Sequence, residues 1–249
     1  MDLSSSLDQV ELISMNFYKE KLVITGCGRN VSSFIPAVKN TIRRYASLFS
    51  ECSCVFIVSD SNDDTVQQLE ELNKTISTIV IDLGDLRDKK PIRESRLALC
   101  RNYYLDYIQN NLSNYDYMLI LDLDEVCIGP VSKKSIKSNF MYQGWDMICA
   151  NVRGHYYDLH ALRGCDSIDR FTTIQPSDQP IRVTSAFGGA AFVKINSIGT
   201  ARHNINCGSV CEWVSFCNSL KSRNIFINPG FIIQHLENSH VVKRKEYCR

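Results

Sequence analysis

Short apolar runs alternate with stretches of helical periodicity through the first half of the chain. Lys21–Thr25 is apolar and stops at Gly26-Cys27-Gly28, the pattern of a buried strand followed by a turn with positive φ. From Ser32 to Leu48, apolar Phe34, Ile35, Val38, Ile42, Tyr45 and Leu48 fall near one face, which predicts a helix capped by Ser32 or Ser33. Cys54–Val58 predicts a second strand, Thr65–Asn73 a second helix and Ser77–Asp82 a third strand. Pro91 opens a long helix to about Asn110, and Tyr115–Leu121 is the next strand. Strands alternating with helices over short connections make a parallel sheet.

After Val126 the rhythm changes. Strands are expected at Trp145–Asn151, Ile181–Ser185 and Ala190–Ile195, then at Ile225–Asn228 and Phe231–His235 around Pro229-Gly230. A helix is expected over Ser209–Ser222, while residues 153–180 have little periodicity. The fold class is therefore α/β: a mostly parallel central sheet flanked by helices, with a mixed C-terminal half. Residues 1–18 read as an N-terminal extension and residues 19–249 as a single domain, its halves meeting at 126/127.

Composition narrows the partners. The chain has 249 residues, with 28 Lys and Arg against 27 Asp and Glu, so charge points to no nucleic acid or other polyanion. No run of 18 apolar residues exists, so no membrane span is expected. Met1–Ser6 lacks the basic and apolar parts of a signal peptide, and the expected location is cytoplasmic. The 11 cysteines are scattered and include no Cys-x-x-Cys, which suits free buried thiols in a reducing compartment. Cys52-Ser-Cys54 and Cys207-x3-Cys211 lack partner pairs at zinc-site spacing, which leaves a structural zinc or a disulfide as the lesser alternative.

The most informative stretch is Tyr115 to Val126, where Met118-Leu119-Ile120-Leu121 stops at Asp122 and Asp124. Side chains alternate along an extended chain, so the two carboxylates point the same way. The carboxyl end of a strand in an open α/β sheet is where ligands bind, and paired carboxylates there suit a divalent cation, Mn²⁺ or Mg²⁺, with a phosphorylated substrate. His235 ends the last apolar run and would add an imidazole to that pair, with His203 and His240 as weaker alternatives.

Other polar positions have two readings each. Asp60, Asp63 and Asp64 follow the second strand; Asp60 is the better candidate for a nucleobase or ribose contact, while the others suit a solvated turn with Asp64 as a helix cap. Arg93, Arg96 and Arg101 lie on the long helix among apolar Leu97, Leu99, Leu105 and Ile108. Arg96 pairs either with a diphosphate or Asp122, or with acids on an exposed face. Glu212, beside Trp213 and Val214, is either a base of raised pKa or a first-turn acid favoured by the helix dipole. Gly26-Cys-Gly28 lacks the third glycine of a dinucleotide fingerprint, Val31 standing there, which disfavours a dehydrogenase.

In order, Gly28-Arg29-Asn30, Ser59-Asp60-Ser61 with Asp63, and Arg96-Leu-Ala-Leu-Cys-Arg101-Asn102 lead to Leu121-Asp122-Leu-Asp124. Phe187-Gly188-Gly189-Ala190, Cys211-Glu212-x-Val214-x-Phe216, and Asn228-Pro229 before His235 follow. This series resembles the GT-A glycosyltransferases, especially the fungal capsule-associated mannosyltransferases and related bacterial and large-virus sugar transferases. The resemblance spans roughly residues 20–237.

It implies a nucleotide-binding half over 19–126 and an acceptor and metal half over 127–249. It also implies a UDP- or GDP-linked sugar donor, a glycan or other hydroxyl acceptor, and a divalent cation on the diphosphate. By that resemblance Asp124 ligates the metal, Asp122 contacts ribose or metal, and His235 is a third ligand. Arg29, Asn30, Asp60 and Arg96 fall on the donor side, and the Gly188-Gly189 backbone approaches the sugar. Glu212 is then the base of an inverting reaction, although relatives often carry His where this chain has Trp213, and retaining relatives exist. Residues 153–180, with Arg153, His155, Tyr156, Tyr157, His160 and Asp166, fall on the acceptor side.

Two other functions share parts of this pattern. A haloacid-dehalogenase-type phosphatase would use Asp122 as nucleophile and Asp124 as acid/base, but its Asp-x-Asp strand comes early, and no later apolar strand with an acidic pair follows Val126. A non-catalytic protein of the same fold would bind no donor through a metal.

Overall fold

The computed structural model describes residues 19–205 and 211–234. The expected extension over residues 1–18, together with His235 and His240, lies outside them. One eight-stranded sheet runs through the molecule in the order β3-β2-β1-β4-β7-β5-β8-β6. Its strands are β1 (Lys21–Gly28), β2 (Glu51–Val58), β3 (Ser77–Asp82), β4 (Tyr117–Leu121), β5 (Met147–Val152), β6 (Ile181–Val183), β7 (Ala190–Lys194) and β8 (Ile225–Ile233). The helices are α1 (Ile35–Ala46), α2 (Thr65–Glu70), α3 (Arg93–Asn111), α4 (Lys133–Ser138), α5 (Ile195–Ile198) and α6 (Glu212–Ser219).

The first four strands are parallel to one another, as the alternation of elements predicts. Beyond β4 the sheet is mixed: β7 lies antiparallel between β4 and β5, β8 runs parallel to β5, and β6 closes the edge antiparallel to β8. Apolar side chains leave each strand on alternate faces. Leu22, Ile24, Leu119 and Leu121 join a core with α1 and α4. Val23, Met118 and Ile120 join the opposite core, with Tyr104, Leu105 and Ile108 of α3 and Phe216 of α6. Both faces of the sheet are thus covered, which is why its strands read as continuous apolar runs.

Several local expectations change. The cap of α1 is Phe34, with no side-chain bond, and Pro36 in the first turn takes the place of a serine cap. Gly26 and Gly28 lie inside β1 rather than in a positive-φ turn. Gly26 is demanded by crowding, since a Cβ there would stand 2.4 Å from the Leu121 carbonyl oxygen of β4. The short helices α4 and α5 were not expected. The two strands around Pro229-Gly230 are one strand, β8, whose register with β5 slips between Ala150 and Asn151.

Candidate active site

Apolar strands ending in polar residues build the floor of one pocket. β1 ends at Gly28, β2 at Val58 and β4 at Leu121, and the polar residues that follow converge at the carboxyl edge of the sheet. This edge lies where the chain order reverses between β1 and β4, the usual ligand position in an open α/β sheet. The pocket encloses about 480 Å³. Arg29, Asp60, Arg96, Asp122, Asp124 and Glu212 all line it.

Asp122 follows β4 directly, and its backbone N–H donates to the Gly189 carbonyl at 2.9 Å. Burial first, then the neighbouring Asp124 carboxylate, pushes its pKa well up, while Arg101 and Arg93 pull the other way. Asp124 Oδ1 accepts from the Val126 N–H at 3.0 Å, which pins the turn after the strand. Two hard oxygen donors one residue apart, with the ionisation of Asp122 held back by burial and by the Asp124 carboxylate, suit a divalent cation, which would relieve that repulsion. Among the described residues no group of three or more His, Cys, Asp or Glu side chains is placed to hold a metal ion.

The donor-side residues are bound to one another. Asp60 has φ +57° and is fixed from three sides. Its Oδ1 accepts from Leu86 N–H at 2.7 Å, its N–H donates to the Gly84 carbonyl at 2.9 Å, and its Oδ2 lies 3.2 Å from Arg96 Nε. Arg96 therefore pairs with Asp60, not with Asp122, and also donates to the carbonyls of Lys90 and Pro91 at 2.7 and 2.9 Å. Asn30, at φ +52°, lies off the pocket lining and ties two loops: its side-chain oxygen accepts from Asn62 N–H at 2.8 Å. Asp63 rather than Asp64 supplies the bond at the start of α2, accepting from Thr65 N–H at 3.1 Å and Thr65 Oγ1 at 2.6 Å. Arg29 is exposed at the pocket.

Gly188 and Gly189 have φ of +72° and +86° and do not line the pocket. A Cβ on Gly188 would stand 2.5 Å from the Ala150 carbonyl oxygen, and one on Gly189 would stand 2.5 Å from Val126 Cγ1. Their backbone instead holds the Asp122 main chain and the Asp158 carboxylate. Gly189 holds Asp122 from behind, and the Gly188 N–H donates to Asp158 Oδ2 at 2.9 Å.

Glu212 opens α6 and is 4% exposed. Its carboxylate forms an ion pair with Arg101, which is 7% exposed. The Arg101 guanidinium lies over the Trp213 ring at 4.4 Å, and Trp213 stacks on Phe187 at 4.1 Å. Trp213 thus already stacks within the protein. His203 sits behind this wall, ring to ring with Phe216 at 4.4 Å and with Nδ1 3.3 Å from the Glu212 carbonyl oxygen. Burial, with Arg101 adding, holds its pKa well below the usual value, and it does not line the pocket.

Of the expected acceptor residues, Tyr157 and His160 line the pocket, Tyr156 is buried in the core, and Arg153, His155 and Asp166 point elsewhere on the exposed surface. Three pocket residues were missed as site residues: Asp158, Arg101 and Phe187. Burial raises the Asp158 pKa against hydrogen bonds from Gly188 and Ala161. The signal for Arg101 was its place in the Arg96 to Asn102 stretch; Asp158 had none, since its segment is irregular. All nine described cysteines are free thiols.

Over 89% of this chain, the structure superposes on S. aureus TarS 1-349, in complex with UDP-GlcNAc, with TM-score 0.58, 11% identity and 60% of that chain covered. The fold is that of GT-A glycosyltransferases. The GT-A mannosyltransferase PcManGT of Pyrobaculum calidifontis, in complex with GDP-Man and Mn²⁺, matches with TM-score 0.56 and 10% identity over 90% of this chain and 59% of that one. Glucosyl-3-phosphoglycerate synthase of Mycobacterium tuberculosis matches with TM-score 0.53 and 12% identity over 92% and 77%. At these identities the likeness is one of fold, and the chain spans about 60% of the first two structures' length. No protein-family profile and no curated protein sequence matches the chain. No helix among the described residues is long and apolar enough to cross a membrane.

Proposed function

We propose that this chain is a divalent-metal-dependent glycosyltransferase that moves a sugar from a UDP- or GDP-linked donor to a hydroxyl of a glycan or other acceptor. The observation that carries this reading is the convergence of Asp122, Asp124, Asp60, Arg29, Arg96 and Glu212 on one pocket at the carboxyl edge of a GT-A sheet. Asp124 and Asp122, with His235 as a third ligand, would hold Mn²⁺ or Mg²⁺, which neutralises the charge developing on the leaving diphosphate. Arg29 and the Asp60–Arg96 pair would bind the nucleotide side, where Asp60 is already oriented by Arg96 and Leu86. The Gly188-Gly189 turn would set the depth of the sugar pocket through its hold on Asp122 and Asp158.

Glu212 would stand on the acceptor side as the base of an inverting transfer, with Arg101 holding its carboxylate in place. The acceptor hydroxyl gives its proton to that carboxylate as its oxygen bonds the anomeric carbon, and the bond to the diphosphate breaks. The order of sequence motifs supports placing the chain beside the capsule-associated mannosyltransferases and their bacterial and viral relatives.

Thermal shift with UDP, GDP and their sugars, with and without Mn²⁺, tests the reading. Stabilisation by one nucleotide only when Mn²⁺ is present, lost in Asp124→Asn, is the expected result. No response to any nucleotide, alongside hydrolysis of a phosphate monoester, would replace it with the phosphatase. Glu212→Gln should keep donor binding and stop transfer; surviving transfer would remove Glu212 as the base.

A further inference from the structure

Asp158 is an acid of the pocket wall that neither the metal pair nor the base accounts for. It is half-buried, so its side chain keeps a face toward the pocket. Its place follows from three consecutive residues, Phe187, Gly188 and Gly189. Phe187 stacks at 4.1 Å on Trp213, the residue next to Glu212 in α6. The Gly188 N–H donates to Asp158 Oδ2 at 2.9 Å. The Gly189 carbonyl accepts the Asp122 N–H at 2.9 Å.

One short segment therefore sets Glu212, Asp158 and Asp122 in that order. Consecutive Cα atoms are about 3.8 Å apart, so the three anchor points span less than about 8 Å, the scale of one hexose. The segment cannot lift away from its neighbours. A Cβ on Gly188 would meet the Ala150 carbonyl oxygen at 2.5 Å, and one on Gly189 would meet the Tyr157 hydroxyl at 2.9 Å.

A sugar in transfer lies between the leaving diphosphate and the attacking hydroxyl, held close to both. In the donor reading the diphosphate belongs at Asp122 and Asp124 and the attacking hydroxyl at Glu212, which puts the sugar at Asp158. A carboxylate has about four acceptor sites. The N–H groups of Gly188 and Ala161 use two of them, and the others are left for hydroxyl donors on the pocket side.

We propose that Asp158 is the residue that reads the transferred sugar. Its carboxylate accepts hydrogen bonds from two neighbouring ring hydroxyls of a hexose, and so sets which sugar nucleotide the pocket takes. This assignment rests on the donor reading. A sugar lacking one of those hydroxyls, or holding it in the other configuration, leaves an acceptor unpaired, so the residue rejects as well as binds.

The test is isothermal titration calorimetry of the full chain with Mn²⁺. The ligands are UDP and GDP, then UDP-glucose, UDP-galactose, UDP-N-acetylglucosamine and GDP-mannose. The quantity read is the affinity for the preferred sugar nucleotide divided by that for its parent nucleotide. Asp158→Asn keeps an oxygen for the Gly188 N–H and turns the other acceptor into an amide donor. It should leave the parent nucleotide within about twofold of wild type and lower the ratio about tenfold or more. Deoxy analogues of the donor close the cycle: loss of either of two adjacent hydroxyls should weaken binding to wild type and cost Asp158→Asn little further. A ratio that does not move overturns the proposal. So does a parent nucleotide that weakens by the same factor, which would make Asp158 a support of the Gly188 turn only. If Asp158→Asn does not fold, Asp158→Glu takes its place; a changed order of sugar preference in it supports the proposal, and an unchanged order overturns it. A wild-type chain that binds no nucleotide brings down the donor reading, and this assignment with it, before any variant is made.

Discussion

Asp122 shows how a buried carboxyl costs the fold that carries it. Burial and Asp124 raise its pKa, so the folded chain holds a proton that the unfolded chain has already released. Metal-free stability should therefore fall as pH rises from the unfolded carboxyl value of about 4 through the raised folded value. A divalent cation binds the ionised form, so Mn²⁺ stabilisation should grow over the same range. Asp122→Asn should raise the metal-free melting temperature, flatten its pH dependence and remove the response to Mn²⁺. A metal-free melting temperature lower than wild type at neutral pH would contradict this account. Arg101 is the opposite case: Arg101→Met leaves Glu212 buried and unpaired, a loss of about 3–5 kcal/mol in urea unfolding. Arg101→Met with Glu212→Gln should recover part of that loss. Asp122, Asp124, Asp60 and Arg96 were legible in the sequence because each follows an apolar strand or breaks an apolar helix face. Arg101 was named but not placed, because its partner is 111 residues away and no periodicity links α3 to α6.

Among the elements, strands with continuous apolar runs and the short helix α2 were legible, and the short helices α4 and α5 were not. β3 appears at Ser77–Asp82, the expected span, because its ends are marked by polar turns. Helix α4, Lys-Lys-Ser-Ile-Lys-Ser, has one buried apolar side chain, Ile136, so its sequence carries almost no amphipathic signal. Its existence follows from contacts made elsewhere. Ser135 Oγ accepts from Ile232 N–H at 2.8 Å and donates to the Gly230 carbonyl at 2.9 Å, across the irregularity of β8. Asn228 closes the same region, donating to Ser138 Oγ at 2.9 Å and Asn139 Oδ1 at 2.7 Å. These bonds let one strand pass through Pro229-Gly230, where the sequence reads as a break. Ser135→Ala leaves the Ile232 N–H without its acceptor and should cost about 1–3 kcal/mol by urea unfolding. Since β8 leads directly to His235, the same variant should weaken Mn²⁺-dependent nucleotide binding; unchanged binding would argue against His235 as a ligand. At the other side of the pocket, Gly189→Ala meets Val126 at 2.5 Å and Ile233 at 2.9 Å, with φ +86°, and should destabilise by about 1–3 kcal/mol.

At the scale of the whole molecule, the parallel half and the mixed character of the second half were legible, but the strand order of that second half was not, because β7 inserts between β4 and β5 from later in the chain. That insertion decides whether residues 19–126 could stand alone as a nucleotide-binding unit. β4 pairs along its full length with β7, Tyr117 to Lys194 through Leu121 to Ala190. Tyr45 of α1 packs edge-on against Phe192 of β7 at 6.0 Å and Phe231 of β8 at 6.4 Å. On the other face, Val23, Val55 and Ile57 share one core with Met147, Cys149 and Phe216. A fragment ending at residue 126 would expose the edge of β4 and strip the partners from both cores. It should therefore show no cooperative unfolding transition and aggregate through that edge, while the full chain should unfold in one calorimetric transition. Amide exchange offers the finer reading. If the two halves are one cooperative unit, the slowest amides of β1 and β4 should exchange at the same free energy as those of β5 and β8. Separate exchange free energies for the two strand pairs, or a stable 19–126 fragment that binds nucleotide, would instead make the halves two domains.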